Sequence, residues 1–128
     1  MKTGKPGKFA NAGLDRVFHE KARLSIMTCL ASHRDGLLFV DLKQLCELSD
    51  GNLNRHLEVL QEVGAVQLER TGAGRGSKTI CKMTRAGRTA FSLYLDELEK
   101  ALNAAAVAIQ DSKGSRIGLG KPRLDGVD

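Results

Sequence analysis

The stretch "SDGNLNRHLEVLQEVGAV", Ser49 to Val66, decides how the rest of the chain is read. Ser49 has a hydroxyl that can accept from the free amides of a first helical turn, and Asp50 suits the positive end of a helix dipole. Leu53, Leu57, Leu60 and Gly64 then fall on one stripe. On a 100° wheel, Gly51, Asn52, Arg55, Glu58 and Glu62 lie across from it, with Asn54 on the flank and His56 nearer the leucines. Gly64 is placed to end the helix as a C-cap. The spacing predicts a helix over 50–63 with an apolar back and an outward face crowded with hydrogen-bonding groups at its N-terminal end.

Toward the N-terminus, "DLKQLCEL" (41–48) sets Leu42, Leu45 and Cys46 on one face, which predicts a short helix joined to the next by a tight turn. "LLFV" (37–40) reads as a brief strand and "RDG" (34–36) as a turn. Leu14, Phe18, Ala22, Ile26, Cys29, Leu30 and His33 keep helical spacing, so one helix is expected over about 14–33. Residues 1–12, with Lys2, Lys5 and Lys8, are expected to be a flexible basic arm.

Toward the C-terminus, "AVQLER" (65–70) and "TICKM" (79–83) alternate around "TGAGRGSK" (71–78), which predicts a hairpin with a glycine-rich tip. A long helix is expected over about 84–110. In it Phe91, Leu95, Leu98, Leu102, Ala105 and Ile109 are spaced 4, 3, 4, 3, 4, a heptad seam. Residues 111–128 have little periodicity and are expected to be a flexible tail. The expected organisation is thus an arm (1–12), one domain (13–110) that includes the long helix, and a tail (111–128).

The 128 residues include four Phe, one Tyr and no Trp, so the core must be mostly aliphatic. The net charge of +5 is compatible with a polyanionic partner. No apolar run approaches the ~20 residues of a membrane span, and no apolar signal-peptide core is present at the N-terminus, so a cytoplasmic protein without membrane contact is expected. Cys29, Cys46 and Cys81 are far apart in sequence, as are His19, His33 and His56. Their spacing suggests no metal site, and the cysteines are expected to be buried and inert. "GAGRGSKT" (72–79) nearly matches a phosphate-binding loop, but Ser77 stands where a required glycine belongs and a strand follows where a helix is needed. No catalytic arrangement is readable, so no enzyme activity and no cofactor are expected.

The order of elements implies a mainly α fold with a small β-hairpin wing (α+β): a winged helix-turn-helix with a long C-terminal helix for dimerisation. In such a fold the second helix of the pair enters the major groove with its N-terminal residues against base edges. Arg55 and Asn54 are the foremost base-edge candidates, Arg suiting guanine and Asn suiting adenine. Asn52 follows them. Ser49 and Asp50 open the helix, and Gly51 leaves room for a phosphate to approach the backbone. His56 is a contact or a packed histidine. Arg75 at the wing tip suits the minor groove, and Lys78 and Lys43 suit phosphates. The heptad seam, with Leu14 and Phe18 of the first helix, is expected to join two copies.

"LSDGNLNRHLEVLQEVGAVQLER", preceded by "EKARLSIMTCL" and "FVDLKQLCEL" and followed by "MTRAGRTAF" (83–91), resembles the winged-helix transcriptional regulators of the ArsR and MarR groups over about residues 14–105. The resemblance implies DNA binding and dimerisation, and does not extend to the cysteine-rich metal site of the metal-sensing members. The expected function is a sequence-specific regulator, with repression the expected mode, acting as a homodimer on an inverted repeat. Any small-molecule effector is unidentified. The competing expectation is a winged helix that binds protein rather than DNA, which the acids at 58 and 62 would suit.

Overall fold

The computed structural model describes residues 14–114; the expected arm (1–12) and the tail beyond 114 lie outside the described residues. The chain divides after Tyr94 into two units. The first holds α1 (residues 14–18), α2 (Lys21–Ala31), β1 (Leu37–Leu38), α3 (Phe39–Cys46), α4 (Asp50–Glu62), β2 (Val66–Thr71), β3 (Lys78–Met83) and the start of α5 (Arg85–Gly114).

The single helix expected over 14–33 is broken. His19 N–H closes the last bond of α1 onto Asp15, and Glu20 is extended (φ −85°, ψ 132°). The Glu20 carboxylate accepts from the Arg23 amide at 2.9 Å and caps α2. Arg23 Nε donates back to the Val17 carbonyl at 2.8 Å, fastening the two pieces. Helix α2 then stops at Ala31, short of His33. Gly36 (φ +95°) makes the following turn. A Cβ there would lie 2.7 Å from the Ile80 and Lys82 side chains, so only glycine fits under β3.

The strand expected over 37–40 is half that length. Leu37 and Leu38 pair with Cys81 and Ile80 of β3, whereas Phe39 and Val40 already belong to α3. Asp41 in the first turn suits that helix start. Helix α3 ends on Glu47 in the left-handed region (φ 56°), with Leu48 N–H returning to the Lys43 carbonyl.

Helix α4 is as expected at its start and one residue shorter at its end. The Ser49 hydroxyl accepts from Asn52 N–H at 3.1 Å. Gly64 (φ +78°) turns the chain out of the helix, and Ala65 N–H bonds the Leu60 carbonyl. Strands β2 and β3 pair from Val66↔Met83 to Thr71↔Lys78, giving an antiparallel sheet of order β1-β3-β2. The hairpin tip holds one turn of 3-10 helix at Gly74–Gly76.

Thr84 fastens the end of this hairpin. Its hydroxyl donates to the Gly64 carbonyl at 2.6 Å and accepts from Gly87 N–H at 2.8 Å, capping α5. Helix α5 runs past the expected 110 to Gly114, so residues 111–114 are helical rather than tail. The run Ala104–Ala106 favours helix, and Gly114 is the next glycine or proline after it.

The core of this unit is built from Phe18, Ile26, Met27, Leu30, Leu42, Leu53, Leu57, Leu60, Val66, Cys81, Phe91 and Tyr94. Phe18 meets Phe91 edge-to-face at a centroid distance of 5.3 Å, and Tyr94 at 5.7 Å. The Tyr94 hydroxyl and His19 Nδ1 hydrogen-bond at 2.8 Å. Phe18 and Phe91, expected in a seam between copies, are instead 0% and 3% exposed inside their own chain. Leu14 is half-buried.

The second unit begins at Leu95. Along its described helix Leu95, Leu102 and Ile109 are 42%, 61% and 54% exposed. Leu98 is half-buried and Ala105 is exposed. Lys100 and Glu97 pair at 3.5 Å. No helix among the described residues is long and apolar enough to cross a membrane.

Candidate nucleic-acid interface

Helix α4 is held from behind. Leu53, Leu57 and Leu60 are at most 1% exposed, and each buried leucine contributes about 1.5–3 kcal/mol. The leucines fix the roll of the helix, so the opposite face must point outward. Gly51, Asn52, Arg55, Glu58 and Glu62 are all exposed on it, and Asn54 is exposed on its flank. Arg55 Nη2 donates to Asn52 Oδ1 at 3.1 Å, so these two side chains form one outward pair. A Cβ at Gly51 would meet nothing within 4 Å, which leaves the first turn open to an approaching group.

At the start of the helix, Ser49 is committed to its capping bond. Asp50 Oδ1 pairs with Lys43 Nζ at 2.8 Å across the turn between α3 and α4. Lys43 is therefore close to the outward face of α4, with its charge shared with a carboxylate.

His56 turns the other way. Its side chain is only 12% exposed. Nδ1 lies 3.3 Å from Arg23 Nη1 and 3.9 Å from Glu20 Oε1. Of the two expectations for this residue, a DNA contact or a packed histidine, the structure has the packed one: a position next to the leucine stripe draws the ring inward to Arg23 and Glu20. Burial pushes the Glu20 carboxyl up, but the Arg23 amide together with the His56 and Arg23 charges outweighs it and holds Glu20 below its usual value. The Glu20–Arg23–His56 cluster braces the back of α4. It was missed in the sequence, where its one signal is the spacing of a carboxylate three residues before Arg23.

At the wing, Gly72 (φ +76°) and Gly74 (φ +61°) shape the tip and leave Arg75 exposed. Arg70 Nη2 donates to Ser77 Oγ at 2.6 Å, which ties the two sides of the tip together. Arg70 also escaped the sequence reading. Lys78 is exposed and, with Thr79, borders a shallow depression beside Leu38, Phe39 and Val40. Its neighbours are therefore the β1–α3 junction.

This architecture has relatives. The family described as winged helix DNA-binding domain matches residues 22–102. The chain belongs to that family. An uncharacterized protein from Methanocaldococcus jannaschii is 35% identical over 86 residues, covering 65% of this chain and 89% of that one. The solved structure of a transcriptional regulator homologue from Pyrococcus horikoshii OT3 superposes with a TM-score of 0.66 at 26% identity, covering 70% of this chain and 88% of that one. A MepR–DNA complex from S. aureus shares the winged-helix fold at a TM-score of 0.55 and 14% identity, covering 86% of this chain and 93% of that one. Other fold neighbours are MarR- and ArsR-family regulators.

Proposed function

We propose that the protein is a sequence-specific transcription regulator that binds duplex DNA as a homodimer, with repression as its mode. The observation that carries this reading is the outward Asn52–Arg55 pair, with Asn54 exposed on the flank, on a helix whose back is locked by three buried leucines. Side chains of this kind match base edges: Arg with guanine, Asn with adenine. Gly51 leaves the first turn open to a phosphate, Arg75 and Lys78 of the wing add cations, and Lys43 stands at the start of the helix paired with Asp50. The DNA in the S. aureus complex supports a DNA partner for this fold.

Dimerisation is supported by the stripe of Leu95, Leu102 and Ile109, each more than 40% exposed. An apolar stripe of this length on one helix is suited to a second copy of itself. With Leu98 and Ala105, it is the part of the expected seam that remains outside the core of the first unit. A two-fold pair would present two α4 helices about 34 Å apart, one DNA turn, which fits an inverted repeat.

The deciding experiment is selection of fragments of the host's DNA by the full chain at physiological salt. Enrichment of an inverted repeat supports the reading, and recovery without sequence preference sinks it. A second reading, a protein-binding winged helix, is favoured by the exposed Glu58 and Glu62 on the outward face. It predicts no retained DNA at that salt.

A further inference from the structure

Cys29 on α2 and Cys46 on α3 are 17 residues apart in sequence, yet their Sγ atoms lie 3.9 Å apart. The sequence reading expected three inert, buried thiols. Only Cys81 is sealed; Cys29 and Cys46 are both free and both part-exposed. Among the described residues no group of three or more His, Cys, Asp and Glu side chains is placed to share a cation, so an ion at this pair would have two protein ligands.

The two thiols face a shared difficulty. Two adjacent thiolates repel unless a positive charge sits between them. A bound cation stabilises both thiolates at once and drives off their protons.

We propose that Cys29 and Cys46 form a two-thiolate site for a soft monovalent cation of the copper(I) class, completed by a small thiol or water from solvent. Two sulfurs bound to one metal at about 2.3 Å stand about 4.0 Å apart at a trigonal angle and about 4.6 Å apart in a linear arrangement. The 3.9 Å separation fits the trigonal case with little movement. Part-exposure of both cysteines leaves the third position accessible. Soft thiolates favour copper(I), while hard cations such as magnesium favour oxygen ligands. On binding, each thiol releases its proton to solvent, two sulfur–metal bonds form, and the copper stays monovalent. The ion would clip α2 to α3, the first helix of the helix-turn-helix pair. The site does not depend on the DNA-binding reading.

The test is competition for copper(I) between the reduced full chain and the chromogenic chelator bicinchoninate, without oxygen. The wild-type chain and Cys81→Ala should each withdraw a single copper per chain. Cys29→Ser and Cys46→Ser should each hold it more than about 100-fold less tightly while keeping the wild-type circular dichroism. X-ray absorption at the copper edge of the wild-type complex should report sulfur neighbours, which needs no variant to fold. Either single-cysteine variant binding as tightly as wild type, no withdrawal by the wild-type chain, or a shell of nitrogen and oxygen only would overturn the site.

Discussion

Lys43 Nζ and Asp50 Oδ1 meet at 2.8 Å across the turn that joins α3 to α4. Asp50 is 71% exposed, so the pair adds little to stability, about 0–1 kcal/mol. Its effect is on charge: one of the cations nearest the outward face is neutralised. Asp50→Asn should therefore strengthen binding to DNA of any sequence several-fold. It should also steepen the dependence of log affinity on log salt by about 0.9, the worth of one phosphate contact. Salt titrations of both proteins on random DNA check this; an unchanged slope would mean that Lys43 never reaches a phosphate.

Arg55→Ala should cost about 1–3 kcal/mol on the selected DNA sequence and much less on random DNA. It also breaks the bond to Asn52, so Asn52→Ala is the companion measurement. Equal losses on both DNAs would make Arg55 a phosphate contact.

Two glycines give opposite expectations. At Gly87, a Cβ would overlap the backbone carbonyl of Ala65, the same group that accepts from Thr84 N–H. Helix propensity alone favours Gly→Ala by about 1 kcal/mol, but a backbone atom cannot rotate away, so Gly87→Ala should lose about 1–3 kcal/mol. At Gly51 the space is open, and Gly51→Ala should be neutral or gain up to about 1 kcal/mol while weakening DNA binding. Urea unfolding midpoints of the two variants separate the effects.

Burial pushes the Cys81 thiol up from 9.0 to about 11. Well below pH 9 the thiol is protonated in both folded and unfolded chains and contributes no pH dependence. Between 9 and 11 the unfolded chain gives up its proton first, so stability should fall across that window by an amount on the order of 2 kcal/mol. Cys81→Ala should flatten this part of the stability curve, measured by urea unfolding at stepped pH.

Leu102 is 61% exposed on the described part of α5. Leu102→Lys should convert a dimer to a monomer in sedimentation equilibrium without altering the thermal unfolding of the first unit. A wild-type chain that is already monomeric at micromolar concentration would end the proposed assembly.

Helix α4 was legible because every signal agreed: a serine cap, an acid in the first turn, three leucines at helical spacing and a closing glycine. The α1–α2 break was not, because Phe18, Ala22 and Ile26 keep helical phase across it and glutamate is an unusual cap. Phe39 and Val40 were misread because an apolar run of four does not say where strand yields to helix. Phe91 fits both a heptad and a core, and only the ring of Phe18 against it decides. Within the site, the outward face of α4 followed from periodicity. The partners of His56, the Arg70–Ser77 bond and the meeting of Cys29 with Cys46 depend on contacts between distant segments, which periodicity does not encode.

The three sealed leucines of α4 separate what keeps this protein folded from what its helix displays. Residues 51, 52, 54 and 55 all face solvent, so a combinatorial library at those four codons should yield mostly well-folded products. Natural divergence or laboratory selection can therefore retarget the scaffold one surface letter at a time.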